Sequence, residues 1–126
     1  MQSAGKMTNH LISVGVGAPS AARRIVAAML GEHPRLDDIL LATSELVTNV
    51  VRHAGAVDHA ELSLRRSEGA VRISVKQPGQ PFDRTQYLST DPHGRGLAIV
   101  EAITDRWGVE HDGDLMVWFE VADAVG

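Results

Sequence analysis

Residues 45–54 read Glu45-Leu46-Val47-Thr48-Asn49-Val50-Val51-Arg52-His53-Ala54. Placed on a helix at about 100° per residue, Leu46, Val47, Val50 and Ala54 extend an apolar stripe that starts upstream with Leu36, Ile39 and Thr43. Asp38, Glu45, Asn49 and Arg52 fall on roughly the opposite side. The helix starts at His33-Pro34, with Pro34 near its first position and Asp37 and Asp38 at its positive end, and Gly55 stops it. Glu45 and Asn49 are one turn apart and share a face. A carboxylate can act as a general base, and an amide oxygen is a hard ligand suited to Mg²⁺. The same spacing also fits a solvated polar face with no chemistry.

Working outward, residues 1–9 are small and polar and read as a disordered N-terminal segment, so one folded domain spans residues 10–126. His10 to Gly17 alternates apolar Ile12, Val14 and Val16 with other residues, as a half-buried strand does. Pro19 and Ser20 open a helix that Gly31 closes, with Ala22, Ile25, Val26, Met29 and Leu30 as its stripe. Downstream, Ala60–Arg66 and Ala70–Lys76 form a hairpin around Ser67-Glu68-Gly69. Gln77 to His93 is a loop of about 17 residues without periodicity, a length that suits a lid or binding loop. Gly94-Arg95-Gly96 leads into a helix carrying Leu97, Ile99, Val100 and Ile103 that ends near Arg106. Trp107–Glu110, a turn at Asp112-Gly113 and Leu115–Val121 complete a final hairpin. The order predicts an α/β fold, an α+β two-layer sandwich with a mixed sheet and helices on one face.

The chain has 126 residues and is 44% hydrophobic and 22% charged, enough for one domain with a sizeable core. It contains no cysteine, which excludes disulfides, thiolate nucleophiles and Cys-ligated metals. The net charge of −4 argues against direct nucleic-acid binding, and no apolar run reaches the ~20 residues of a membrane span. With no evident secretory signal, a cytoplasmic location is expected. The six histidines show no metal-ligand spacing, and Ser44 and His53 are too far apart on one helix to pair, so zinc and hydrolase chemistry are set aside. Gly94-Arg95-Gly96 before a helix is a candidate anion site: the glycines let backbone N–H groups approach and Arg95 can pair a phosphate. A flexible linker is the competing reading. Val75-Lys76-Gln77-Pro78-Gly79 is a strand end that runs into a loop, or a simple turn.

In combination these segments resemble the GHKL ATPase superfamily, and within it the small anti-sigma-factor serine kinases of bacterial partner switching. ELVTNVVRHA (45–54) is similar to the family's N-box, HGRGLAIVEAITDRWGV (93–109) to its second glycine box and following helix, and VWFEV (117–121) to its last strand. The resemblance covers roughly Ser13 to Val121 and implies a Bergerat-type fold that binds ATP and Mg²⁺. By matching position it implies Glu45 as the general base for an attacking hydroxyl and Asn49 as the Mg²⁺ ligand. Arg52 and His53 would lie near the phosphates. Gly79 matches the first glycine box, and Gly94, Arg95 and Gly96, followed by Leu97, would cradle phosphate. Where the family places an aspartate that accepts from the adenine amino group, this chain has Gln77. A glutamine oxygen also accepts, but the exchange gives up a charge-assisted bond and predicts weakened ATP binding.

The expected function is an anti-sigma-factor-type regulator with ATP-dependent protein serine kinase activity. Its partners would be a sigma factor and a serine-bearing anti-sigma antagonist, and the resemblance implies a homodimer. The alternative is a weakly ATP-binding or non-catalytic module that sequesters a partner. A sensor histidine kinase catalytic domain fits less well, because no dimerisation helices precede Ser13, and an unrelated metabolic enzyme would leave the three motifs as coincidence.

Overall fold

A computed structural model of the chain describes residues 6–53, 58–67, 69–77, 95–112 and 114–123. Five strands and three helices follow in the order β1 (Lys6–Ser13), α1 (Ala18–Leu30), α2 (Leu36–His53), β2 (His59–Ser67), β3 (Ala70–Gln77), α3 (Arg95–Ile103), β4 (Arg106–Asp112) and β5 (Asp114–Ala122). The first strand begins four residues earlier than the sequence reading placed it. Lys6–Asn9 pair with Ser63–Arg66, which corrects the assignment of residues 6–9 to a disordered segment. Their side chains are too polar to announce a strand, and the hydrogen-bond ladder to β2 supplies what the pattern lacks. Residues 1–5, the helix stop at Ala54-Gly55 and most of the long loop, including Gly79 and Gly94, lie outside the described residues.

Local chemistry accounts for the ends of α1. Gly31 follows its last turn at φ +69°, a left-handed conformation that costs glycine nothing, and its N–H bonds Ala27 O at 3.0 Å. His33, not Pro34, sets the start of α2. Its carbonyl accepts from Leu36 N–H at 3.1 Å and its Nδ1 accepts from Arg35 N–H at 3.0 Å. With Nδ1 an acceptor, Nε2 carries the proton and donates to Asp123 Oδ1 at 2.9 Å, so the helix start is tied to the end of β5. In the β2–β3 hairpin Ser67 pairs with Ala70, and Gly69 takes φ +85° in the turn.

The sheet order is β1-β2-β3-β5-β4, and every pairing is antiparallel. The two-layer α/β architecture is as expected, but the sheet is not mixed. Two helices join β1 to β2, so the chain comes back to the end it left and β2 runs antiparallel to β1. The single helix α3 does place β3 and β4 in the same direction, but β5 inserts between them and removes the parallel contact. Alternate residues face the helices: Leu62 and Leu64 on β2, Val71, Ile73 and Val75 on β3, Val117, Phe119 and Val121 on β5. They merge with Ala22, Val26, Ile39, Leu46, Val47, Val50 and Val100 into one aliphatic core around Phe119.

On the opposite face Trp118 lies across Gly108 of β4, its neighbour in the ladder. Arg72 stacks on the indole 4.0 Å from its centroid and donates to Glu120 Oε2 at 2.8 Å, so the ring is clamped from outside. A Cβ at position 108 would stand 2.8 Å from Trp118 Cζ2. Gly108→Ala therefore forces the ring or strand to move. It should cost about 1–3 kcal/mol, read as a lower denaturation midpoint with unchanged m-value. An unchanged midpoint would mean that the ring moves freely.

The pole where α2 starts and α3 ends is a hydrogen-bonded knot. Arg35 donates to Ile103 O at 3.0 Å and to Asp105 Oδ2 at 2.8 Å, and the same Asp105 oxygen accepts Ala122 N–H at 2.7 Å. The Ala122 N–H and the Arg35 guanidinium hold the Asp105 carboxyl below its ordinary value, against an opposing desolvation effect. A depressed folded-state pKa contributes stability that is present above the unfolded value of about 3.9 and is lost as pH falls through the folded one. Asp105→Asn should therefore lower stability near neutrality and flatten its acid dependence below about pH 4. Parallel pH curves for the two proteins would contradict this.

Candidate functional site

The opposite pole gathers the sequence candidates. Arg35 at the start of α2 bonds the last turn of α3, so the end of α2 and the beginning of α3 share the other end of the layer. In the sheet, Ala70 pairs with Ala122 near the knot, and Gln77 pairs with Leu115 at the far end. The C-terminal half of α2, the last residue of β3 and the first turn of α3 thus converge at one edge of the domain.

Asn49 departs most from expectation. The helical projection put it on a solvated side, yet it is 3% exposed, and its Nδ2 has no hydrogen-bond partner among the described residues. The difference has a physical cause. Helix α2 packs against α1 and α3 as well as the sheet, so its buried arc is wider than a single stripe. Ala42, Leu46 and Asn49 form a second buried row at helical spacing, and Ala42 was the signal available in the sequence. A buried unsatisfied amide costs about 1–3 kcal/mol, which marks Asn49 as a group kept for something other than stability. Glu45, one turn earlier, is half-buried, and Arg52 is exposed. His53 is the last residue of α2.

Gln77 is fully buried on the helix-facing side of β3. Arg95 and Gly96 form the start of α3, whose first turn contains no acidic residue. The side chain of Leu97 is 3% exposed and belongs to the core, so only its backbone is left for a ligand. Helical N–H groups in a first turn have no partner within the helix and carry the positive end of the dipole, which suits an anion.

The donor set matches a hard cation shared with a phosphate chain. No group of three or more His, Cys, Asp or Glu side chains comes together among the described residues, so the protein builds no closed metal cage there. Mg²⁺ uses few protein ligands and completes its shell with water and phosphate oxygens, and the Asn49 amide oxygen with the Glu45 carboxylate nearby fits that mode. No helix among the described residues is long and apolar enough to cross a membrane.

Comparison with known proteins gives a consistent picture. Residues 14–120 match the family model described as histidine kinase-like ATPase domain. An uncharacterised protein of Streptomyces coelicolor is 36% identical over 75 residues, covering 56% of this chain and 71% of that protein. The solved structure of the RsbU and RsbW domains of a Mycobacterium tuberculosis protein aligns with TM-score 0.67 and 24% identity over 92% of this chain. This chain spans about a third (32%) of that one. The catalytic domain of the histidine kinase ThkA aligns with TM-score 0.59 and 15% identity, covering 92% of this chain and 96% of that one. At these identities the two solved structures establish the fold.

Proposed function

The chain belongs to the histidine kinase-like ATPase domain family, within the GHKL superfamily, and on that premise we propose that it is an ATP- and Mg²⁺-binding regulator of bacterial partner switching with protein serine kinase activity. The observation that carries the reading is the buried Asn49 amide, with an unsatisfied Nδ2, one turn after Glu45 and at the same pole as the first turn of α3. Bound Mg-ATP supplies the transferable phosphoryl group. The protein's residues then have distinct tasks. Asn49 would hold the cation through its amide oxygen. The Glu45 carboxylate accepts the proton of an incoming serine hydroxyl and orients its oxygen. Backbone N–H groups in the first turn of α3, at Arg95, Gly96 and Leu97, would take phosphate oxygens. Arg52 and His53, the last two residues of α2, would add positive or hydrogen-bonding groups on the phosphate side, and Gly79, which the family resemblance assigns to the nucleotide, lies outside the described residues. Gln77 meets the base.

The likeness to a structure containing an RsbW domain supports a sigma factor as the sequestered partner and a serine-bearing antagonist as the phosphoryl acceptor. A cytoplasmic homodimer is the form expected for such a switch. The second reading, a sequestering module without turnover, draws on Gln77: the base end of the site is neutral where a carboxylate would bind adenine more tightly. Incubation of the full chain and Mg-ATP with purified sigma factors and serine-bearing antagonists separates the two. The kinase reading expects phosphoserine on one antagonist and a sigma-factor complex that responds to nucleotide. A complex indifferent to nucleotide, without phosphoserine, would establish the sequestering module instead.

A further inference from the structure

The two edges of the sheet differ in kind. At one, β4 contains Arg106, Glu110 and Asp112, charges of the sort that discourage a further strand. At the other, β1 contains no proline and no acidic residue, and its single lysine, Lys6, comes first. Among the described residues no strand pairs the outer side of β1. In its ladder with β2, Thr8, His10 and Ile12 oppose Leu64, Leu62 and Ala60, which face the helices. Met7, Asn9 and Leu11 therefore point away from them, and Met7 and Leu11 are 59% and 69% exposed. The other large apolar side chains left exposed among the described residues, Val16 and Leu41, lie off the strand. Val14 N–H bonds Asp58 O at 2.8 Å, continuing the same ladder past Ser13 and His59. Bonding alternates along an antiparallel strand, so Ile12, His10 and Thr8 direct their backbone groups to β2. The N–H and C=O groups of Met7, Asn9 and Leu11 point to the open edge.

We propose that a second copy of this chain pairs there, β1 against β1, about a two-fold axis through Asn9. The inference rests on the homodimer of the reading above and gives it an interface. Keeping both helix layers on one side requires that outward residues oppose outward residues. With Asn9 opposite Asn9, Met7 of each chain lies directly across from Leu11 of the other, so one symmetric contact covers all four exposed apolar side chains. Placing Thr8 or His10 on the axis instead sets neither Met7 nor Leu11 against an apolar partner. The Asn9 register also joins the free backbone groups of Met7, Asn9 and Leu11 in pairs, and fuses the two five-stranded sheets into one.

Analytical ultracentrifugation of the full chain at micromolar concentration should give twice the 13.5 kDa mass of one chain. Leu11→Lys sets an ammonium group against each Met7 and should raise the dimer dissociation constant about tenfold or more. Leu41→Lys, the same change on an exposed leucine of α2, should leave it unaltered. Met7→Glu combined with Leu11→Lys should restore the dimer, because each lysine then faces a glutamate, and circular dichroism checks that every variant is folded. The chain has no cysteine, so a single introduced one reports the axis. Directly opposed, hydrogen-bonded residues stand about 5.5 Å apart at Cα, within disulfide reach, so Asn9→Cys should crosslink under mild oxidant and His10→Cys should not. A monomeric parent protein would overturn the inference, as would a dimer that survives Leu11→Lys or one that crosslinks through His10→Cys and not Asn9→Cys. The thermal shift with Mg-ATP, read on the same samples, is separate: its absence from a β1-paired dimer would count against the nucleotide site and leave the interface standing.

Discussion

Glu45→Ala should transfer phosphate to a serine-bearing antagonist about 10²–10⁴-fold more slowly than the parent protein, the usual loss when a general base is removed. Glu45 is half-buried on α2, apart from the aliphatic core around Phe119, and alanine is the better helix former, so folding should be unaffected. Nucleotide affinity should change little, because the proton acceptor is needed for the chemical step more than for binding. Single-turnover phosphoserine formation and circular dichroism of the same preparation separate the outcomes. Transfer at the parent rate removes Glu45 from the chemistry, and unfolding makes it a structural residue.

Asn49→Leu should have opposite effects on binding and stability. Leucine keeps the branched skeleton, with bulkier methyl ends, and removes the buried donor that lacks a partner. The nucleotide-free protein should therefore hold its stability or gain up to about 1–3 kcal/mol. The Mg²⁺-dependent part of ATP affinity should fall by about tenfold or more, since a cation with few protein ligands feels the loss of one. ATP binding in the presence of a chelator should change much less. This pairing of gained stability with lost binding is what a polar group retained for function produces. A variant that is less stable and binds Mg-ATP as well as the parent would show that Asn49 serves the fold.

Most of the architecture was legible because periodicity carried it. The stripes of α1 and α2 and the alternation in β2, β3 and β5 correspond to the faces that the core buries. What escaped the sequence depends on contacts between distant segments. Lys6–Asn9 become a strand only through their ladder with β2. The antiparallel sheet depends on β5 entering between β3 and β4, which no local pattern announces. Asn49 is buried because α2 has neighbours on more than one side. The His33–Asp123 and Arg35–Asp105 contacts join residues far apart in the chain, and neither pair stands out in the sequence. The identity of the candidate residues came from motif spacing. Their convergence at the pole opposite the Arg35 knot came from topology.

Mg²⁺-dependent ATP binding by this domain is read from the thermal midpoint of the full chain at millimolar ATP, with Mg²⁺ and with chelator. Ligand binding to the folded state stabilises it by RT ln(1 + [L]/Kd), about 2.7 kcal/mol at a hundredfold excess over Kd, so even weak binding registers. The midpoint should rise with ATP, clearly more when Mg²⁺ is present, and the rise should be largely lost in Asn49→Leu. A midpoint that ATP leaves unmoved with Mg²⁺ present would contradict it.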